Sequence, residues 1–108
     1  MPAKSYLLVE SRCDLDGPDV DALLRRAIAL RRRGHQVRLF LIQDAVVMAG
    51  REPLVADLAR LGVPVFVDDM SSAARAVGGH RLVPGVHMAG AADLVSIAMT
   101  PDVVTVWH

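Results

Sequence analysis

The chain reads as an α/β domain, a three-layer sandwich around a mostly parallel sheet of about five strands. Three observations predict this. Short apolar runs alternate with segments of helical periodicity from one end to the other. The run Val37 to Ile42 is aliphatic almost throughout, the mark of a strand covered on both faces. Strictly alternating strands and helices imply right-handed crossovers, and therefore parallel strands with helices on both sides.

Ser5 to Glu10 is the first predicted strand, followed by a polar loop, Ser11 to Asp16. Gly17-Pro18 starts a helix with proline in its first turn, and Asp19 and Asp21 suit the positive end of its dipole. Val20, Leu23, Leu24, Ala27 and Ile28 form its buried stripe, and Gly34 ends it where a left-handed residue is wanted. Val37 to Ile42 is the second strand. Asp44 is expected to cap a short helix, Ala45 to Ala49, which Gly50 breaks. Pro53 opens the next helix, with Leu54, Leu58 and Leu61 on one face and Gly62 at its end.

Val63 to Val67 is the third strand, with Pro64 near its start, where a missing donor does least harm. Asp68 to Ser72 leads into a helix through about Val77, stopped by Gly78-Gly79. Leu82 to Val86 is expected to hold a short fourth strand bent by Pro84-Gly85. Gly90 to Met99 is the last helix, with Leu94, Ile97 and Ala98 inward, and Val103 to Trp107 is the closing strand. The sequence has no repeat, low-complexity tract or linker, so residues 1–108 are read as a single domain.

Composition excludes several function classes. Twelve basic residues balance twelve acidic ones, whereas a duplex-binding domain usually carries an excess of positive charge. Aromatic residues make up only 4%, too few for a base-stacking surface. Nucleic acid is therefore not an expected partner. The run Arg31-Arg32-Arg33 closes a helix, where cations oppose the negative dipole end. The longest stretch without charged residues, Leu82 to Ala92, is far shorter than the roughly 20 apolar residues of a membrane span. Glu10 and Arg12 interrupt the only early apolar run, so no signal peptide is expected, and the cytosol is the expected compartment. A hydrophobic share of 53% exceeds what a doubly covered sheet explains, which favours self-association.

In a parallel sheet the strand C-termini form the ligand edge. That edge should collect Arg12, Cys13 and Asp14, then Gln43 and Asp44, then Asp68, Asp69, Ser71 and Ser72, with His87 and His108. Cys13 is the sole thiol and the candidate reactive group. Arg12 and the following helix start would lower its pKa, while Asp14 and Asp16 would raise it. Arg12, Gln43, Asp44, Asp68, Asp69, Ser71, Ser72 and His87 are candidate ligand-binding residues. Capping by Asp44 and Asp69 is the competing structural explanation. The histidines His80, His87 and His108 show no metal spacing, one cysteine builds neither a disulfide nor a zinc site, and no metal or cofactor is expected. No Gly-rich phosphate loop follows a strand, and Ser71 and Ser72 lack the nucleophile-elbow pattern. Val65 to Met70 has the flavour of a phosphoryl-accepting receiver domain. However, an acidic pair after the first strand and a Lys-Pro after the fifth are both missing.

The opening strand Tyr6-Leu7-Leu8-Val9 and the segment Val37-Arg38-Leu39-Phe40-Leu41-Ile42-Gln43-Asp44-Ala45-Val46 carry a resemblance that extends to Leu61–Val67, Ala92–Val95 and Val103–Trp107. Together they resemble the DsrE/DsrF/TusD-like family of small sulfur-relay proteins. The resemblance implies a flavodoxin-like layout assembled as trimers or hexamers, alone or with a paralogue. It also implies, for relay members, a persulfide-carrying cysteine just after the third strand, at the head of the next helix. This chain has Asp68, Asp69, Met70, Ser71 and Ser72 there, so that cysteine is missing. The implied function is a non-catalytic oligomeric binding or scaffold subunit, pairing with itself or with a cysteine-bearing paralogue, rather than an enzyme. The alternative is a persulfide carrier using Cys13. A third reading is a small-molecule or metal-binding protein using the carboxylates and His87.

Overall fold

The structure is a computed structural model and describes residues 3–108. Five strands form one sheet: β1 (Ser5–Glu10), β2 (Gln36–Leu41), β3 (Val65–Asp68), β4 (Val86–Ala89) and β5 (Val103–Trp107). Their order is β4-β3-β2-β1-β5 and every pairing is parallel. The α-helices are α1 (Pro18–Arg32), α2 (Pro53–Arg60), α3 (Asp69–Ala74) and α4 (Ala91–Ala98), joined by short 3₁₀ segments. No helix among the described residues is long and apolar enough to cross a membrane.

Chain direction decides the layering. From β1 to β4 each crossover steps the same way across the sheet, and the last returns past β1 to place β5. Right-handed connections put the first three on one face and only the last on the other. The packing follows this rule. Val20, Leu24 and Ala27 of α1 and Val55 and Leu58 of α2 cover Leu8, Leu39, Leu41, Val65 and Val67. On the opposite face only α4 is present, where Leu94, Ile97 and Ala98 meet Leu7, Val9, Phe40 and Phe66. Phe40 and Phe66 stack there at 5.7 Å.

β1, α1 and β5 lie where the sequence predicts them. α1 stops at Gly34, whose φ of 90° only glycine adopts without strain. The arginine tract is part of that ending: Arg31 Nε donates to the Leu61 carbonyl at 3.1 Å, and Arg32 and Arg33 are exposed. α2 carries a cap the sequence reading missed, since the buried Glu52 carboxylate accepts from the amides of Leu54 and Val55.

Other elements depart from expectation. β4 begins at Val86, not Leu82. Pro84 lacks a donor and Gly85 sits at φ 91°, so the two make a turn ahead of the strand rather than a bend inside it. The segment after β2, Gln43–Gly50, is a 3₁₀ helix, and Asp44 does not cap it. α3 ends at Ala74 because Ala76 takes a left-handed conformation (φ 55°), returning the Val77 amide to the Ser72 carbonyl.

Candidate functional site

Because all strands run in parallel, their C-termini share one rim. That rim holds Arg12 and Cys13 after β1, Gln43 and Asp44 after β2, Asp68 closing β3, Asp69, Ser71 and Ser72 in α3, and His108 after β5. His87 is not with them. It is the second residue of β4, paired with Phe66 and exposed on an edge strand. The shift of β4 places Ala89 and Gly90 at that exit instead.

The thiol has a defined setting. The loop after β1 folds into one 3₁₀ turn, Asp14–Asp16, with the Cys13 amide donating to Asp16 Oδ2 at 3.0 Å. Cys13 is 8% exposed. Its Sγ donates to Asp14 Oδ1 at 3.1 Å and receives Arg51 Nη2 at 3.4 Å. Arg51 also grips Asp14 with both Nη atoms, at 3.0 and 2.8 Å. Burial pushes the thiol above its ordinary pKa, and the hydrogen bond and charge of Asp14 add to the rise against the Leu15 amide and Arg51. Arg51 holds the Asp14 carboxyl below the usual range. Arg12 is not the neighbouring cation, since it lies 3.9 Å from Asp19. The residues beside the thiol thus keep it protonated more than they activate it.

A second cluster closes the β1–β5 exits. Glu10 is 0% exposed, and its Oε2 accepts from the amides of Ser11 and Arg12 at 2.9 and 3.0 Å. Its Oε1 meets His108 Nδ1 at 2.7 Å, and Ser11 Oγ donates to the His108 carbonyl at 2.9 Å. Sequence reasoning passed over Glu10 as a strand end. The available signal was a carboxylate terminating an otherwise apolar strand.

A third cluster joins the β2 and β3 exits. Asp68, not Asp69, caps α3, accepting from the Ser71 amide at 2.9 Å and the Ser71 hydroxyl at 2.6 Å. The Gln43 amide donates to that hydroxyl at 2.9 Å, with Gln43 left-handed at φ 50°. Asp44 accepts from Arg75 Nε at 2.9 Å. Ser72 is 1% exposed and its hydroxyl has no partner among the described residues, which sets it apart from the solvent-facing rim. The crevice where successive crossovers leave on opposite faces lies between the β3 and β4 exits. There Asp69 and Asp93 flank Gly90. The crevice is acidic, yet no group of three His, Cys, Asp or Glu residues among the described residues could hold a metal ion.

The chain is similar to several solved structures. The crystal structure of the ychN protein from E. coli superposes with a TM-score of 0.86 over 95% of this chain and 99% of that one, at 24% identity. The likeness shows the fold. A protein of unknown function from Methanobacterium thermoautotrophicum, MTH1491, matches with a TM-score of 0.73 at 15% identity, covering 99% of this chain and all of its own. BT1422 from Bacteroides thetaiotaomicron, also of unknown function, matches at 0.70 and 12% identity over 94% of this chain and 95% of its own. No protein-family model and no curated protein matches the chain.

Proposed function

We propose that this protein is a DsrE-like chain that has given up sulfur carriage and acts as a non-catalytic oligomeric binding or scaffold subunit. It would assemble with itself as a trimer or hexamer, or with a cysteine-bearing paralogue. One observation carries the reading. The head of α3, where the resemblance implies the sulfur-carrying cysteine, holds Asp69, Met70, Ser71 and Ser72 beneath the Asp68 cap, with Asp93 across the crevice. A carboxylate-lined crevice repels a persulfide anion. Met99 (77% exposed) and Trp107 (61%) belong to the half-covered face of the sheet and supply the apolar surface that association needs.

The competing reading is a persulfide carrier working through Cys13, favoured by the Arg51 contact at 3.4 Å. Incubation with a persulfide donor followed by intact-mass measurement separates the two. The scaffold reading expects no added sulfur under conditions that label a known carrier. A one-sulfur adduct that disappears in Cys13→Ala would overturn it. Light scattering tests assembly independently: a strict monomer at micromolar concentration refutes the oligomer.

A further inference from the structure

Beside the thiol loop, Val47, Arg51, Arg75, Ala76, Val77 and Arg81 line an open depression of about 330 Å³, at the small end of the range for ligand pockets. Every charged side chain in its lining is a guanidinium. We propose that this depression binds a tetrahedral oxyanion, either free phosphate or the phosphoryl or sulfonyl group of a small organic molecule. The site goes beyond the scaffold reading and stands or falls separately from it.

The donors are available. An arginine carries five N–H groups. Arg51 commits three, two to Asp14 and one to Cys13, and Arg75 commits two, to Asp44 and the Ser71 carbonyl. Arg81 makes no hydrogen bond or ion pair through its side chain among the described residues. Two of the three cations are thus neutralised and held in place by carboxylates, while the third is uncompensated. Such an arrangement is preorganised and still attracts an anion. Three guanidinium groups around one depression suit an oxyanion with several acceptor faces better than a planar carboxylate, which a single arginine satisfies bidentately.

The walls are fastened. The Val83 amide donates to the Ala49 carbonyl at 2.9 Å, tying the segment that bears Arg81 to the end of the 3₁₀ helix. Gly50 permits this approach, since a Cβ there would stand 2.5 Å from the Arg81 carbonyl oxygen. Val47, Ala76 and Val77 add an apolar side for an organic body. Through its contact with Cys13, Arg51 also places the bound anion one side chain away from the thiol.

The test is a titration of isotope-labelled protein, followed by amide NMR, with inorganic phosphate and separately with phenyl phosphate, at constant ionic strength set by sodium chloride. Saturable shifts are expected at amides 47–51 and 75–82. Arg81→Gln should weaken binding about tenfold, the effect of losing a hydrogen bond to a charged group. Arg81→Lys should bind between the two, and Arg33→Gln, on the exposed end of α1, should bind like wild type. Tighter binding of phenyl phosphate assigns the source to an organic ester, and equal affinity assigns it to free phosphate. Absence of saturable shifts with either probe overturns the site. So does unchanged affinity in Arg81→Gln with the remaining spectrum intact.

Discussion

The two faces of the sheet differ in composition and in cover, since one is almost wholly apolar while the other also carries Ser5, Gln36, Arg38, His87 and Thr105. One face buries Val20, Leu24 and Ala27 of α1, Val46, Met48 and Ala49 of the 3₁₀ helix, and Val55 and Leu58 of α2. The other buries a single helical residue, Leu94, while Val95 and Met99 on the same helix stay exposed. The difference follows from chain order. Three crossovers step in one direction, so handedness sends them to one face, and only the return to β5 serves the other. A helix about 10 Å across covers roughly half of a five-stranded sheet about 19 Å wide. The face left partly open is thus a consequence of topology, and the proposed assembly would cover it.

Matched truncations give the largest test of this contrast. Leu24→Ala should cost about 4 kcal/mol, because the surrounding helices cannot collapse into the cavity, while Leu94→Ala should cost about 2 kcal/mol. Urea unfolding of both variants reads the difference. Equal losses would show that the open face is as well packed as the closed one. Next in size is Glu10, which anchors β5, the edge strand of the open face, through His108. Glu10→Ala leaves the Arg12 amide without its acceptor, while the Ser11 amide keeps the His108 carbonyl at 3.0 Å, and should cost about 1–3 kcal/mol. Hydrogen exchange in that variant should rise first in β5; a uniform rise would mean that Glu10 does not anchor this edge.

The double variant Met99→Ser, Trp107→Ser asks what covers the open face. Exposed substitutions in a monomer shift stability by about 0.5 kcal/mol or less. If a second copy covers these residues, wild-type Tm rises with protein concentration and the variant loses that dependence along with its assembled mass in light scattering. A concentration-independent wild-type Tm would leave the face uncovered in solution.

Sequence pattern reached the layering but not the partners. β1, α1 and β5 were legible because Gly17-Pro18, Gly34 and Pro101 punctuate them. β4 was displaced because Pro84-Gly85 fits a bend inside a strand as well as a turn before one, and only pairing with β3 chooses. The rim position of Cys13 followed from strand polarity. Its cation did not, because Arg51 is 38 residues away and reaches the thiol only through the adjacency of β1 and β2. Arg12, the sequence neighbour, points to Asp19 instead. Caps failed similarly: Asp68 and Asp69 are both plausible from composition, and one residue of strand length decides between them.

The smallest expected effect concerns the bond between the β1 loop and the closed face, the Asp14–Arg51 pair. Arg51 lowers the Asp14 pKa in the native state, so the unfolded chain binds the proton more readily. This contribution is fully present above the unfolded carboxylate value of about 3.9 and is lost as pH falls through the lower native pKa. Arg51 is 46% exposed in its side chain, so solvent screening keeps the loss below about 1 kcal/mol. Asp14→Asn should therefore flatten part of the acid loss of Tm below about pH 4, while leaving the fold unchanged. The same substitution acts on the thiol in the opposite sense to a simple loss of contacts. It removes the charge that helps keep Cys13 protonated and frees Arg51 to pair with Sγ alone. Alkylation of Cys13 by iodoacetamide at pH 8 should accordingly be faster in Asp14→Asn than in wild type. A slower or unchanged rate would mean that burial alone governs the thiol and that the Asp14–Arg51 pair does not.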